Sequence, residues 1–221
     1  MFKHTHPYKP FIPKNATKLI VGTLPPPRFT TGDLKPGDVD FCYGSRDGQL
    51  WNILDQIYGL NLSFETTTKA IEERKTFLRN HKIGICDMVS VAYREKVDAS
   101  DIGMQKAVLR DLVKILQQHP SIHTVLFTGG NSKNGPEYFF RKNLKTYNRS
   151  LQRIKNEVPR EHEFLLPNSS RKVKTVSLIA PSGAANRAVG SLKGYKQMKA
   201  KNPSLNTIDF RVIQYTPYFI N

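Results

Sequence analysis

The chemistry-bearing residues of this chain gather where short apolar runs end in glycine. Leu19, Ile20 and Val21 lead into Gly22-Thr23-Leu24 and then three consecutive prolines, Pro25, Pro26 and Pro27. Glycine lets a backbone approach a ligand closely and proline fixes the chain. Such a loop is either the rigid rim of a site or a stiff surface turn, and no helix is expected to begin in it. A second glycine-rich stretch, Thr128-Gly129-Gly130-Asn131-Ser132, either cradles an anion in its successive amides or starts a helix capped by Asn131 or Ser132. The fingerprints of dinucleotide-binding folds, P-loops and serine-hydrolase elbows are absent. Two cysteines, Cys42 and Cys86, and six histidines without metal-ligand spacing lead us to expect no metal and no other cofactor.

Charge narrows the partner. The net charge is +16, and residues 132–201 hold sixteen Lys/Arg against four Glu, a net of +12. Each phosphate neutralised by such a field releases counterions, so nucleic acid is the expected partner. There is no apolar run long enough to span a bilayer and no apolar signal at the N-terminus, which predicts a cytoplasmic protein without a membrane partner. Size and charge leave the oligomeric state open, with a monomer as the expectation.

The elements that must position these residues read as alternating strands and helices. Strand patterns at "TKLIVGT", "KIGICDMVSV", "IHTVLFTGG" and "KVKTVSLIAP" are each followed by turn residues and a helical pattern. Between them, "GQLWNILDQIYG" and "TTTKAIEERKTFLRNHK" predict helices, the latter capped by Thr67 or Thr68. "DASDIGMQKAVLRDLVKILQQHP" predicts one long helix through Val108, Leu112, Ile115 and Leu116. "DFRVIQY" predicts an edge strand, and the stretch before Lys172 a polar insertion. The expected fold is α/β: a three-layer α/β/α sandwich around a central, mainly parallel four-stranded sheet, in one domain spanning 1–221. Ligands of such sheets collect at the carboxyl ends of the strands.

In order and spacing, the strand-end segments resemble the uracil-DNA glycosylase superfamily, especially its mismatch-type and hypoxanthine branches. "LIVGTLPP" resembles the first motif, and "FCYGSRDGQLWNIL" the following aromatic, loop and Trp-containing helix. "IGICDMVSVAYREKVDASDI" resembles the second strand and its Arg-containing extension, "VLFTGG" the third strand, and "LIAPSGAANRA" the final Pro-Ser turn that meets DNA. The resemblance implies a monofunctional DNA glycosylase that flips a damaged or modified base out of the stack and hydrolyses its glycosidic bond.

It also implies residue roles. Thr23, Leu24, Tyr43 and Asp87 would line the base pocket, with Tyr43 stacking on the base. Asp87 would act as a catalytic and base-reading carboxylate that accepts hydrogen bonds from a base presenting N–H groups. Pro25, Ser182, Gly183, Asn186, Arg187 and Lys193 would contact DNA. The position that in many relatives carries a water-orienting acid or amide is Leu24 here, and the family's His before Pro-Ser is Ala180. Asp47, beside Gly48, is then the nearest carboxylate to position water, unless it caps the next helix. Tyr43 and Asp87 equally admit structural roles, as a core tyrosine and a turn residue. Trp51 belongs to the core, and Arg94 with Asp98 forms an ion pair. Those departures keep open a non-catalytic nucleic-acid-binding protein on the same fold, and an unrelated α/β enzyme on an acidic small molecule is a third reading.

Overall fold

A computed structural model describes residues 1–220. The first apolar run forms β2 (Lys18–Gly22), after a short strand β1 (Phe2–Thr5). Beside it lie β3 (Ile83–Asp87), β6 (Thr124–Phe127) and β9 (Lys172–Ser177), all parallel, in the spatial order β3-β2-β6-β9. Their cores are apolar on both sides, as a sheet covered on two faces requires. Leu19, Val21, Val125 and Phe127 enter one core with residues Leu112–Leu116 and Phe139–Leu144, while Ile20, Leu126 and Val176 enter another with Leu50–Leu54, Ala70–Leu78 and Tyr215–Phe219.

The sheet has six strands rather than the expected four. β8 (Arg160–Leu165) and β7 (Gln152–Lys155) continue it antiparallel beyond β9. This stretch reads as a polar insertion because its strands are one-sided or bare. On β8 only His162 and Phe164 are buried, and β7 is exposed throughout.

"KIGICDMVSV" is two strands. The chain breaks step at Met88, and β4 (Val89–Arg94) joins a separate antiparallel sheet, β1-β4-β5, with β5 (Gln105–Leu109). The expected long helix therefore shrinks to α4 (Leu112–Gln118), capped by the Asp111 side chain. Val108, which shares its helical spacing with Leu112, instead pairs with Val91 across β4 and β5 and is exposed. The C-terminal segment is α8 (Thr207–Phe219), not an edge strand. Asn206 and Asp209 form a reciprocal capping box, and Arg211, Tyr215 and Phe219 bury one face at four-residue spacing.

The remaining helices follow the sequence signals with two changes. α2 (Leu50–Tyr58) stops at the left-handed Gly59, and the side chain of Thr67 caps α3 (Thr68–Asn80). α5 (Pro136–Lys145) starts from Gly135 rather than from Asn131 or Ser132. A short helix, α1 (Pro27–Thr31), does begin in the proline run, because Pro27 occupies a first-turn position where the missing N–H costs nothing. α6 (Asn186–Ser191) and α7 (Lys193–Lys201) follow β9. Among the described residues no helix is long and apolar enough to cross a membrane.

Candidate active site at the carboxyl ends of the strands

Parallel register decides which residues meet. β2 and β3 are aligned so that Gly22 stands beside Asp87, and Phe127, opposite Val21, delivers Thr128 to the same end of the sheet. The Gly22 amide donates to Asp87 Oδ1 at 3.1 Å, and His6 Nε2 lies 2.7 Å from Asp87 Oδ2. The Tyr8 amide donates to His6 Nδ1 at 3.0 Å. That nitrogen is therefore the acceptor, so the ring proton sits on Nε2 and is donated to the carboxylate. Asp87 is buried, and each of its oxygens is engaged once.

Tyr43 crosses in front of this pair. A side chain at Gly22 would collide with the Tyr43 hydroxyl and come within 2.6 Å of Asp87 Oδ1, so the close approach itself requires glycine. Tyr43 is held in the left-handed region, φ 58°, and its hydroxyl lies 2.8 Å from Thr128 Oγ1. Burial, reinforced by the Asp87 charge, pushes its phenol well above the usual range. It is nevertheless partly open to solvent, as the wall of a recess would be.

A second carboxylate stands at the next residue. Thr23 Oγ1 donates to Asp101 Oδ1 at 2.8 Å. Burial, with a smaller push from Asp87, raises the Asp101 carboxyl to about 6 against the pull of Thr23 and Arg94. Arg94 holds the segment in place: its Nη1 donates to Ser100 O at 2.6 Å, its Nε donates to His4 Nδ1 at 2.8 Å, and it lies 3.7 Å from Asp98. The Asn134 side chain donates to the Asp101 and Met104 carbonyls. Leu24 packs against the apolar core, and Pro25 is buried.

Two loops form the rim. Gly48 and Ser182 make an isolated antiparallel bridge, and the Gln49 amide donates to Pro181 O at 2.9 Å. Asp47 does not cap α2, whose N-cap is Gln49; its exposed carboxylate lies 3.1 Å from Arg28 Nη2. Arg28 is itself fixed by a two-pronged pair with the buried Asp38 and by Ser45. Below the other loop, the fully buried Arg211 donates to the carbonyls of Ala180, Ser182 and Thr207 and to Asn186 Oδ1. Asn186 thus spends its acceptor on the scaffold, whereas Gly183, Arg187 and Lys193 are exposed beside it. Trp51 is in the core, its Nε1 donating to Cys42 O.

Of the residues singled out by sequence, the structure brings Gly22, Tyr43 and Asp87 into one cluster with Thr23 at its edge, and joins the Asp47 and Ser182 loops above. Sequence reasoning placed Thr128 at a strand end that lines the site, and missed His6, Asp101, Arg28 and Arg211. His6 lies in a segment without strand or motif signal, and Asp101 was absorbed into the long helical pattern. Arg28 follows a proline run in which no helix was expected, and Arg211 lies in a stretch that reads as an edge strand, so neither showed the partners it would hold.

No family model matches the sequence, and no curated protein matches it. Among solved structures, the solution NMR structure of a "putative uracil DNA glycosylase" from Methanosarcina acetivorans is similar over 95% of this chain and 99% of that one, with a TM-score of 0.54 and 15% sequence identity. At that identity the likeness is one of fold: this chain has the α/β architecture of that protein from end to end.

Proposed function

We propose that the protein is a monofunctional DNA glycosylase that accepts a flipped, damaged or modified base against Tyr43 and Asp87 and leaves an abasic site. We read the two cores as the interfaces of a three-layer α/β/α sandwich, with the pocket at its carboxyl-end edge. The observation that carries the reading is the pairing of two differently held carboxylates on consecutive residues of one loop, Asp87 on the Gly22 amide and Asp101 on the Thr23 hydroxyl. The end-to-end likeness of fold and the +12 charge of residues 132–201 support DNA as the substrate.

Asp101 takes the part that Leu24 cannot. A carboxyl raised to about 6 is a competent general base near neutrality. As C1′–N cleavage develops, water held by Asp101 adds to C1′, its proton passes to the carboxylate, and the electron pair leaves with the base. Asp87, held between the Gly22 amide and His6, stabilises positive sugar character and offers its remaining lone pairs to base N–H groups such as those of hypoxanthine or an amino-bearing pyrimidine or purine. Arg187 and Lys193 meet phosphates on the rim.

The test is a panel of oligonucleotides, each with one altered base, scored for alkali-labile abasic sites. Cleavage at one base class that is lost in Asp101→Asn supports the assignment. Tight binding with no abasic site across the panel overturns catalysis and favours the non-catalytic nucleic-acid-binding reading.

A further inference from the structure

Beyond β9 on the same edge lies a recess of about 360 Å³ that the glycosylase reading does not use. Its floor is Glu137 on α5, 1% exposed at the side chain, which accepts from Ser177 Oγ at 2.6 Å and pairs with Arg141 at 2.8 Å and Arg160 at 3.1 Å. Arg153 completes a cationic wall, His162 stands in it as a neutral imidazole, and Asn131 and Asn156 add amides. One carboxylate thus faces three guanidiniums. It organises them rather than neutralising them: Arg160 spends only Nη2 on Glu137, and its Nε and Nη1 have no hydrogen bond among the described residues.

His162 adds an independent sign. Arg141 Nη2 lies 3.1 Å from His162 Nε2, and a guanidinium only donates, so the ring proton is on Nδ1. His162 is 4% exposed, and that Nδ1 is buried without a partner. This unpaired donor and the free guanidinium donors belong to one recess lining, and such donors call for an acceptor. Gly130 makes the room, since a side chain there would stand 2.6 Å from Arg160 Nη2. Of the two glycines only Gly130 admits the arginine, for a side chain at Gly129 would meet Pro136.

We propose that this recess binds a phosphate group. In the DNA complex, which follows from the glycosylase reading, the occupant is a backbone phosphate of the strand that enters the Gly22–Asp87 site. β8 lies three strands from β2, roughly 14 Å at about 4.8 Å per strand, close enough for one DNA strand to reach both sites.

Two measurements separate the parts of the claim. Thermal unfolding of the whole protein in inorganic phosphate, against chloride at matched ionic strength, reads the recess alone. Titration of a short duplex at several salt concentrations reads the strand. Arg153→Gln alters an exposed side chain and leaves Glu137 paired, and Arg160→Gln removes the free donors. Expected are a phosphate-specific rise in Tm that both variants lose, and a slope of log affinity on log salt that falls by about one in each. Absence of a phosphate-specific rise in the wild type overturns the site. A rise with an unchanged DNA slope overturns the strand assignment and points to a free phosphate compound. A wild type that binds phosphate but no DNA fails the glycosylase reading while the recess stands.

Discussion

His6 Nε2 donates to Asp87 Oδ2 across 2.7 Å, with the Tyr8 amide fixing the tautomer from the other side of the ring. The N-terminal segment thereby becomes part of the site, because the buried carboxylate has its charge stabilised by a ring that can present only a donor to it. His6→Ala removes one of the two hydrogen bonds given to a buried charge. Such bonds are worth roughly 1.5–3 kcal/mol, and urea unfolding at neutral pH should show a loss of that size. A variant as stable as the wild type would mean that the pair does not form in solution.

The same geometry makes Asp87→Asn a poor isostere. With its amide nitrogen toward His6, two donors face each other; with it toward Gly22, the same clash occurs at the backbone amide. Reversing the His6 tautomer only transfers the clash to the Tyr8 amide. We expect a loss on the order of 1–3 kcal/mol, and the double variant His6→Ala/Asp87→Asn should lose less than the sum of the two single losses. Base preference in Asp87→Asn is therefore best compared at a temperature where the variant is fully folded.

Asp38 sets an acid limit on the rim. Burial would raise its carboxyl, but Arg28 and the amides of Arg46 and Lys35 overcome this and hold it at about 2, below the ordinary 3.8. The folded pKa is depressed, so its contribution is complete above the unfolded value and is lost as pH falls from about 4 toward 2. At roughly 1.4 kcal/mol per unit this is about 2 kcal/mol. Stability measured from pH 6 to pH 2 should show that decline, and Asp38→Asn, which is already weaker at pH 6, should show a shallower one.

The parallel sheet was legible because β2, β3 and β6 are buried along nearly their whole length, so "TKLIVGT" and "VLFTGG" carry short continuous apolar runs closed by glycine or threonine. β7 and β8 were not, since an exposed edge and an alternating strand rich in Glu and Arg look like solvated loop. Val108 and Leu112 share one helical face by spacing while sitting in different elements. In the site, Gly22 and Asp87 could be found because each closes a strand, and Tyr43 because its segment resembles a known motif. Asp101 could not, because only the tertiary turn after β4 brings it to Thr23.

Arg211 acts through the loop it holds. Replacing it with Met keeps the length of the stem and removes every donor, leaving the Ala180, Ser182 and Thr207 carbonyls and Asn186 Oδ1 without their buried partner. Each stranded group costs about 1–3 kcal/mol unless water reaches it, so a loss of several kcal/mol is expected. Arg211→Lys restores one donor and should recover part of that loss. At equal folded fraction, DNA affinity should rank wild type, Lys, Met. Equal affinities would show that the Pro181–Asn186 turn is not a DNA contact.

The water-positioning role is decided between Asp101 and Asp47 by pH. Asp101 is raised by burial to about 6, so a base at that position must lose its proton before it acts. Single-turnover base release should rise with pH and level off above about 6, and Asp101→Asn should lower the plateau by roughly two orders of magnitude or more and abolish the rise. Because the folded pKa lies above the unfolded 3.8, ionisation of Asp101 costs stability as pH climbs from about 4 to 6. Asp101→Asn should then be more stable than the wild type at pH 8 and lose that advantage below pH 4, a readout independent of catalysis. Asp47→Asn alters only an exposed pair with Arg28 and should change stability by less than about 1 kcal/mol. A collapse of the rate in Asp47→Asn, with a normal pH profile in Asp101→Asn, would exchange the two roles.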